Sequence, residues 1–267
     1  MLEAAKTAHE ATLRHIRTPI GRLATRLQTY FALIGDSSTV NLVNAAQRAY
    51  ATPLAAAPFK CGGRSGPYSY TDIAAGPLAI KDAADVYPYP NSLRVVQVDG
   101  AMLHEWLERS ASIFRRIDPG QSGEQPLLSP AFACYNFDVI DGVDYAIDVT
   151  QPARYDESGA LVAPAARRIR DLMFRGAPVD PNQPFLLVAN NYIASGGGGF
   201  PGCDGTSVVV EALDANRDVL LKYIESRKEI ALKSEEPWRF APWPSTVVAT
   251  YLASPAAAEL PAPPACG

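Results

Sequence analysis

Histidine is scarce in this chain: His9, His15 and His104 are the only three among 267 residues. A two-metal phosphoesterase centre needs several His and Asp ligands converging from loops. Two of the three histidines fall within the first 17 residues, and the third sits in a helical pattern beside Leu103 and Trp106. The expectation is that this chain supplies no metal ligands. Cysteine is sparse too. Cys61, Cys134, Cys203 and Cys266 form no C-x-x-C pair, which argues against zinc and leaves one disulfide open in an oxidising compartment. Hydrophobic residues make up 48% of the chain, yet no uninterrupted run approaches the roughly 18 residues that a membrane span requires. Positive charge is not in surplus either. The 24 Lys and Arg face 28 Asp and Glu, a net charge of −4, which excludes a surface built for a nucleic-acid polymer. A mononucleotide remains possible, since a few local arginines can hold one phosphate. The opening Met1-Leu2-Glu3-Ala4-Ala5-Lys6 lacks the apolar centre of a signal peptide. Either the protein is cytosolic or an export signal lies upstream.

Nucleophilic catalysis finds no support. Ser195 stands in Ser195-Gly196-Gly197 without a G-x-S-x-G elbow or a histidine placed to activate it, and Cys203 has no base nearby in sequence. The run Gly196-Gly197-Gly198-Gly199 lacks the Lys-Ser/Thr pair of a P-loop and does not fit G-x-G-x-x-G. No catalytic residue is expected in this chain.

Hydrophobic spacing gives the organisation. Residues 1–17 read as an amphiphilic helix or linker that stops before Thr18-Pro19. A helix is predicted over 36–50, with Asp36, Ser37 and Ser38 as cap candidates, and residues 52–80 read as loop with short extended pieces. A strand over 92–98 should lead, through Asp99 as N-cap, into a helix whose stripe runs Leu103, Trp106, Leu107, Ile113, Phe114, Ile117. Residues 136–149 read as a hairpin turning at Asp141-Gly142, and 169–179 as a shorter one turning at Arg175-Gly176. A buried strand is predicted over 185–192 and a long helix over 208–226. Arg22 and Arg26, four apart, read as a solvated helix face. From about residue 254 the chain is Ala and Pro and reads as a disordered tail. Helices and hairpins without regular alternation predict an α+β fold, a mixed sheet flanked by helices.

Two loops stand out. Tyr87-Pro88-Tyr89-Pro90-Asn91 leads into one predicted strand, and Asn190-Asn191-Tyr192-Ile193-Ala194-Ser195-Gly196-Gly197-Gly198-Gly199-Phe200 leaves another. Each puts a tyrosine where rigid scaffold meets loop. Two such rings can sandwich a flat heterocycle, while glycines let backbone N–H groups approach a polar ligand. Arg64, among small neighbours in Gly62-Gly63-Arg64-Ser65-Gly66, could reach a phosphate.

These segments, with Tyr30-Phe31-Ala32-Leu33, Phe59-Lys60-Cys61-Gly62-Gly63-Arg64 and Asn136-Phe137-Asp138-Val139-Ile140-Asp141-Gly142-Val143-Asp144-Tyr145, resemble the C-terminal domain of the periplasmic 5′-nucleotidase family. The resemblance runs from about Thr18 to Tyr251 and is closer to the 2′,3′-cyclic-nucleotide 2′-phosphodiesterase/3′-nucleotidase branch. It implies that residues 18–253 bind nucleosides and nucleotides, among them 2′,3′-cyclic and 3′-monophosphates. It implies a separate N-terminal metallophosphoesterase domain that carries two divalent metals, with none bound by this domain, and a periplasmic location. By the same resemblance Tyr89 and Tyr192 stack on the base. Asn91 and the segment Tyr192, Ile193, Ala194, Ser195, Gly196, Gly197, Gly198 touch base and ribose, and Arg64 touches ligand or partner domain. Three departures set the chain apart from the 5′-nucleotidase pattern: Tyr89-Pro90-Asn91 replaces Phe-Gly-Asn, Gly197-Gly198-Gly199-Phe200 replaces Gly-Gly-Asp-Gly-Tyr, and Lys60-Cys61-Gly62-Gly63-Arg64 shortens Asn-Gly-Gly-Gly-Ile-Arg. Alternatives are the same domain of a 5′-nucleotidase or UDP-sugar hydrolase, or a non-catalytic nucleoside-binding module.

Overall fold

The structure, a computed structural model, describes residues 2–54, 71–232 and 236–252. Arg64 with its glycine-rich segment, and the Ala/Pro stretch from residue 254, lie outside the described residues. The chain opens with α1 (Leu2–Ile16), β1 (Pro19–Leu23), β2 (Leu27–Gln28) and α2 (Ser38–Ala51). Next come β3 (Asp72–Ile73), β4 (Gly76–Ala79), α3 (Ile80–Val86), β5 (Ser92–Asp99) and α4 (Gly100–Ser110). The middle holds β6 (Gly123–Pro126), β7 (Asp144–Ile147), β8 (Ile169–Phe174) and β9 (Ala177–Pro178). Then follow β10 (Pro184–Asn190), α5 (Asn191–Ala194), β11 (Val208–Ala215) and α6 (Asn216–Arg227). The last strands are β12 (Glu229–Ile230), β13 (Trp238–Phe240) and β14 (Val247–Thr250). Helices and mostly antiparallel small sheets make an α+β fold, as the irregular element order predicts.

An antiparallel sheet in the order β10-β5-β11 organises the molecule. Side chains alternate across a strand, and here both faces are apolar. Val96, Val98, Phe185, Leu187 and Ala189 face one core, shared with Leu103, Trp106 and Leu107 of α4. Leu93, Val95 and Val188 face a second core, shared with Leu42, Val43 and Ala46 of α2 and Val219, Leu220 and Ile224 of α6. Each such side chain contributes about 1.5–3 kcal/mol when buried, so two layers anchor β5 and β10. Around this sheet, β12-β1-β4 and β13-β7-β8-β9 form two more.

Local signals explain the helix starts. Asp99 caps α4, its Oδ1 accepting from the Met102 N–H at 2.7 Å. Ser37 occupies the N-cap of α2, but its hydroxyl donates to the Gln28 carbonyl at 3.1 Å instead of capping. The pair at 169–179 forms as expected, β8 turning into β9.

Four expectations need correction. Residues 208–226 are a strand followed by a helix. Val210 and Ala212 turn inward while Val209, Glu211 and Leu213 face out, and Leu213 is fully exposed, so it belongs to no helical stripe. Residues 136–149 form no hairpin. Phe137, Val139, Ile140 and Val143 run buried through the first core, and β7 takes its partners from β8 and β13. Asp141 at the supposed turn instead pairs with Arg48 of α2. The helix after β5 ends at Ser110, with Ala111–Ile113 as one 3-10 turn, though Ile113, Phe114 and Ile117 stay buried. Arg22 lies on β1, and Arg26 grips Asp72 through two 2.6 Å hydrogen bonds, so the two do not share a helix face.

Candidate functional site

β5 and β10 run antiparallel with Leu93 opposite Asn190. The loop entering β5 and the loop leaving β10 therefore emerge at the same end of the sheet. Side chains tie them together. Asn191 Oδ1 accepts from the Ser92 N–H at 3.1 Å, and Asn190 Nδ2 donates to the Tyr87 hydroxyl at 3.3 Å. Asn190 also caps α5, accepting from the Ile193 N–H at 2.9 Å.

Each candidate ring is braced by a second tyrosine. Tyr89 is 36% exposed and meets the buried Tyr87 edge-on, centroids 6.3 Å apart at 84°. Tyr192 is 39% exposed and meets Tyr135 at 6.3 Å and 71°, and its hydroxyl donates to Asn136 Oδ1 at 3.3 Å. Edge-to-face pairs of this kind add about 0.5–1.5 kcal/mol and hold the rings in a fixed attitude. Asn91 is fixed through its carbonyl, which accepts from Asn216 N at 2.8 Å and Asn216 Nδ2 at 3.1 Å. Asn216 is buried and in turn accepts from Gln47 Nε2 at 2.8 Å.

The glycine loop is tightly wound. Gly196 and Gly198 have φ of +97° and +76°, where a side chain is strained. The Ser195, Gly196 and Gly199 N–H groups donate to Asn191, Ile193 and Gly196 carbonyls. Ile193 and Ala194 are sealed in the first core, so only their main chain could meet a ligand, whereas Ser195 is exposed. The loop bearing Tyr89 and Asn91 and the loop bearing Tyr192, Ser195, Gly196, Gly197 and Gly198 thus leave the sheet at the same end.

Among the described residues, no group of three or more His, Cys, Asp and Glu is placed to share a metal ion. The two divalent cations implied by the resemblance thus have no fitting donor set in what is described. Cys134 and Cys203 are free thiols, and burial pushes the Cys203 thiol up to about 12, away from nucleophilic use. A concavity of about 240 Å³ lined by Gly100, His104, Glu105, Arg167, Val179 and Pro181 lies at the opposite end of β5.

The profile of the 5′-nucleotidase C-terminal domain matches residues 19–204. The chain belongs to the 5′-nucleotidase C-terminal-domain family. It is 44% identical over 257 residues to a 2′,3′-cyclic-nucleotide 2′-phosphodiesterase/3′-nucleotidase of Salmonella typhimurium, covering 89% of this chain and 40% of that protein. It is 42% identical over 247 residues to the trifunctional nucleotide phosphoesterase protein YfkN of Bacillus subtilis, covering 88% of this chain and 17% of that protein. The chain thus spans well under half the length of these relatives. A 5′-nucleotidase precursor from Thermus thermophilus superposes with a TM-score of 0.69 at 17% identity, over 91% of this chain and 43% of that one, which shows the shared fold.

Within this 5′-nucleotidase C-terminal domain the sequence reading missed the residues that hold the loops. Tyr135, Asn216 and Arg109 carry no local motif of their own, and Asn136 stood in a quoted motif without being assigned a role at the site. One signal was available: Glu108-Arg109-Ser110 is a polar triplet inside the α4 pattern, and all three are buried.

Proposed function

We propose that the chain is the nucleotide-binding part of a hydrolase acting on 2′,3′-cyclic nucleotides and 3′-nucleotides. The base stacks on Tyr89 and Tyr192, which contribute on the order of 1–3 kcal/mol per ring with little base selectivity. The N–H groups of Gly197 and Gly198, together with Asn91, hydrogen-bond the nucleoside. Arg64 contacts the ligand or a neighbouring domain. Hydrolysis belongs to a two-metal centre on an N-terminal domain, and a hinge near residues 1–18 carries the ligand towards it. The whole protein works in the periplasm. The names of the relatives support the substrate class. The observation that carries the site is the arrival of two half-exposed, braced tyrosines and a left-handed glycine turn on loops that leave the same end of β5 and β10.

Calorimetric titration of 3′-AMP into the purified chain tests this. Wild type is expected to bind, and a folded Tyr89→Ala/Tyr192→Ala variant to give no measurable heat. Equal binding by both would remove the tyrosines from the site. With 5′-AMP as competitor, a clear preference for the 5′-nucleotide would move the chain to the 5′-nucleotidase branch.

A further inference from the structure

Arg109 is 1% exposed on α4, yet both of its hydrogen bonds go to main-chain carbonyls rather than to a carboxylate. Its Nε donates to Gly198 O at 3.0 Å and its Nη2 to Glu157 O at 3.1 Å. Its Nη1 is buried with no hydrogen-bond partner among the described residues. The guanidinium lies 4.8 Å from the Phe132 ring centre and 5.7 Å from that of Phe200. Burying a cation this way costs folding free energy, and an apolar side chain of similar size is often neutral or better. Stability alone is therefore a poor reason for an arginine here. What it gains is a fork that spans two separate segments.

Those segments touch each other directly. The 155–161 hairpin, closed by a bridge between Tyr155 and Leu161, brings Gly159 against Gly199. A Cβ on Gly159 would lie 2.7 Å from the Gly199 carbonyl, and one on Gly199 would lie 2.7 Å from the Ser158 carbonyl. Ser129 secures the hairpin from outside by donating to Glu157 Oε1 at 3.0 Å. On its other side Gly198 packs on Asn136, whose Oδ1 would lie 2.8 Å from an added Cβ and which accepts from Tyr192. One line of contact thus runs from Arg109 through Gly198 and Asn136 to the Tyr192 ring.

We propose that Arg109 is a positioning residue of the nucleotide site: it staples the glycine loop to the 155–161 hairpin and so fixes the attitude of Tyr192 and of the Gly197 and Gly198 N–H groups. This rests on the nucleotide-binding reading of the site, but the coupling of the two loops can be measured without ligand. Hydrogen exchange is compared between the wild-type 267-residue chain and Arg109→Met, which keeps the packing between Phe132 and Phe200 and removes both hydrogen bonds. Protection should fall about tenfold or more at residues 197–200 and 157–160 together, with β5 and α6 unchanged. The affinity for 3′-AMP should fall about tenfold. Unchanged exchange in the two loops overturns the proposal. So does a uniform loss across β5 and α6, which is the mark of a merely structural role. If Arg109→Met does not fold, Arg109→Lys makes the same comparison, because a single ammonium cannot serve both carbonyls in the fork geometry. Full protection of both loops in that variant also overturns it. Absence of 3′-AMP binding by wild type would count against the nucleotide site, while the exchange data would still decide the coupling.

Discussion

A methyl group added at Gly197 would lie 2.6 Å from Cδ2 and Cε2 of Tyr192 and 2.5 Å from the Tyr192 carbonyl oxygen. Cβ atoms do not approach so closely, so the ring or the loop must shift. Gly197→Ala is expected to weaken 3′-AMP binding by about tenfold while the melting temperature barely moves. Paired calorimetry and thermal denaturation check this, and an unchanged affinity would mean that Tyr192 is not held by this contact. His104 gives a residue-scale pH effect. Burial, aided by Arg167 and Arg154 and opposed by Glu105, lowers its pKa from the ordinary 6.5. The folded state then holds its proton less tightly than the unfolded chain does, so stability is fully present above about pH 6.5 and declines as pH falls towards the depressed value. His104→Gln should flatten that part of the urea-denaturation pH profile; an identical slope would exclude His104 as its source. The tyrosine loops were legible at this scale because Pro, Gly and Asn punctuation beside an apolar run is a local signal. Arg109 and Asn216 were not, because each reaches the site from an element distant in sequence.

Among the elements, α4 both begins and ends on polar residues that sequence patterns treat differently. Its cap was readable, and Asp99→Ala should cost about 0.5–2 kcal/mol, measured as a lower urea midpoint with an unchanged slope. No loss would mean that water replaces the carboxylate at the Met102 N–H. The two misread stretches share a cause. In 208–215 the strand β11 has one partner, β5, and its outward face carries the apolar Val209 and Leu213, which hides the in–out alternation from the sequence. In 136–149 the Asp141-Gly142 pair looks like a hairpin turn, but burial of Phe137, Val139 and Ile140 draws that run into the core before it can pair. Tertiary competition decided both, and no window of local sequence contains the competitor.

For the whole molecule the decisive fact is that β5 and β10 belong to both cores. All three tryptophans, Trp106, Trp238 and Trp243, lie in or against the first core. Leu42 is fully buried in the second. Leu42→Ala should nevertheless shift the midpoint seen by tryptophan fluorescence as much as the one seen by far-UV circular dichroism, by about 2–5 kcal/mol. Separate transitions would show that the cores unfold independently. The α+β class was legible because it follows from element order, whereas the sharing of one sheet by two cores depends on pairings that only the folded chain displays.

Those pairings also bear on how the protein is made. Leu23 of β1 lies beside Ile230 of β12, and Gly123 of β6 beside Val247 of β14. During synthesis β1 therefore waits with one edge open until β12 has left the ribosome. Closing such distant pairs is slow, and an open edge is a template for association with other chains. The domain's hazard is thus one of timing: a ribosome stalled before residue 229 would release a chain whose first strand has no partner on that side.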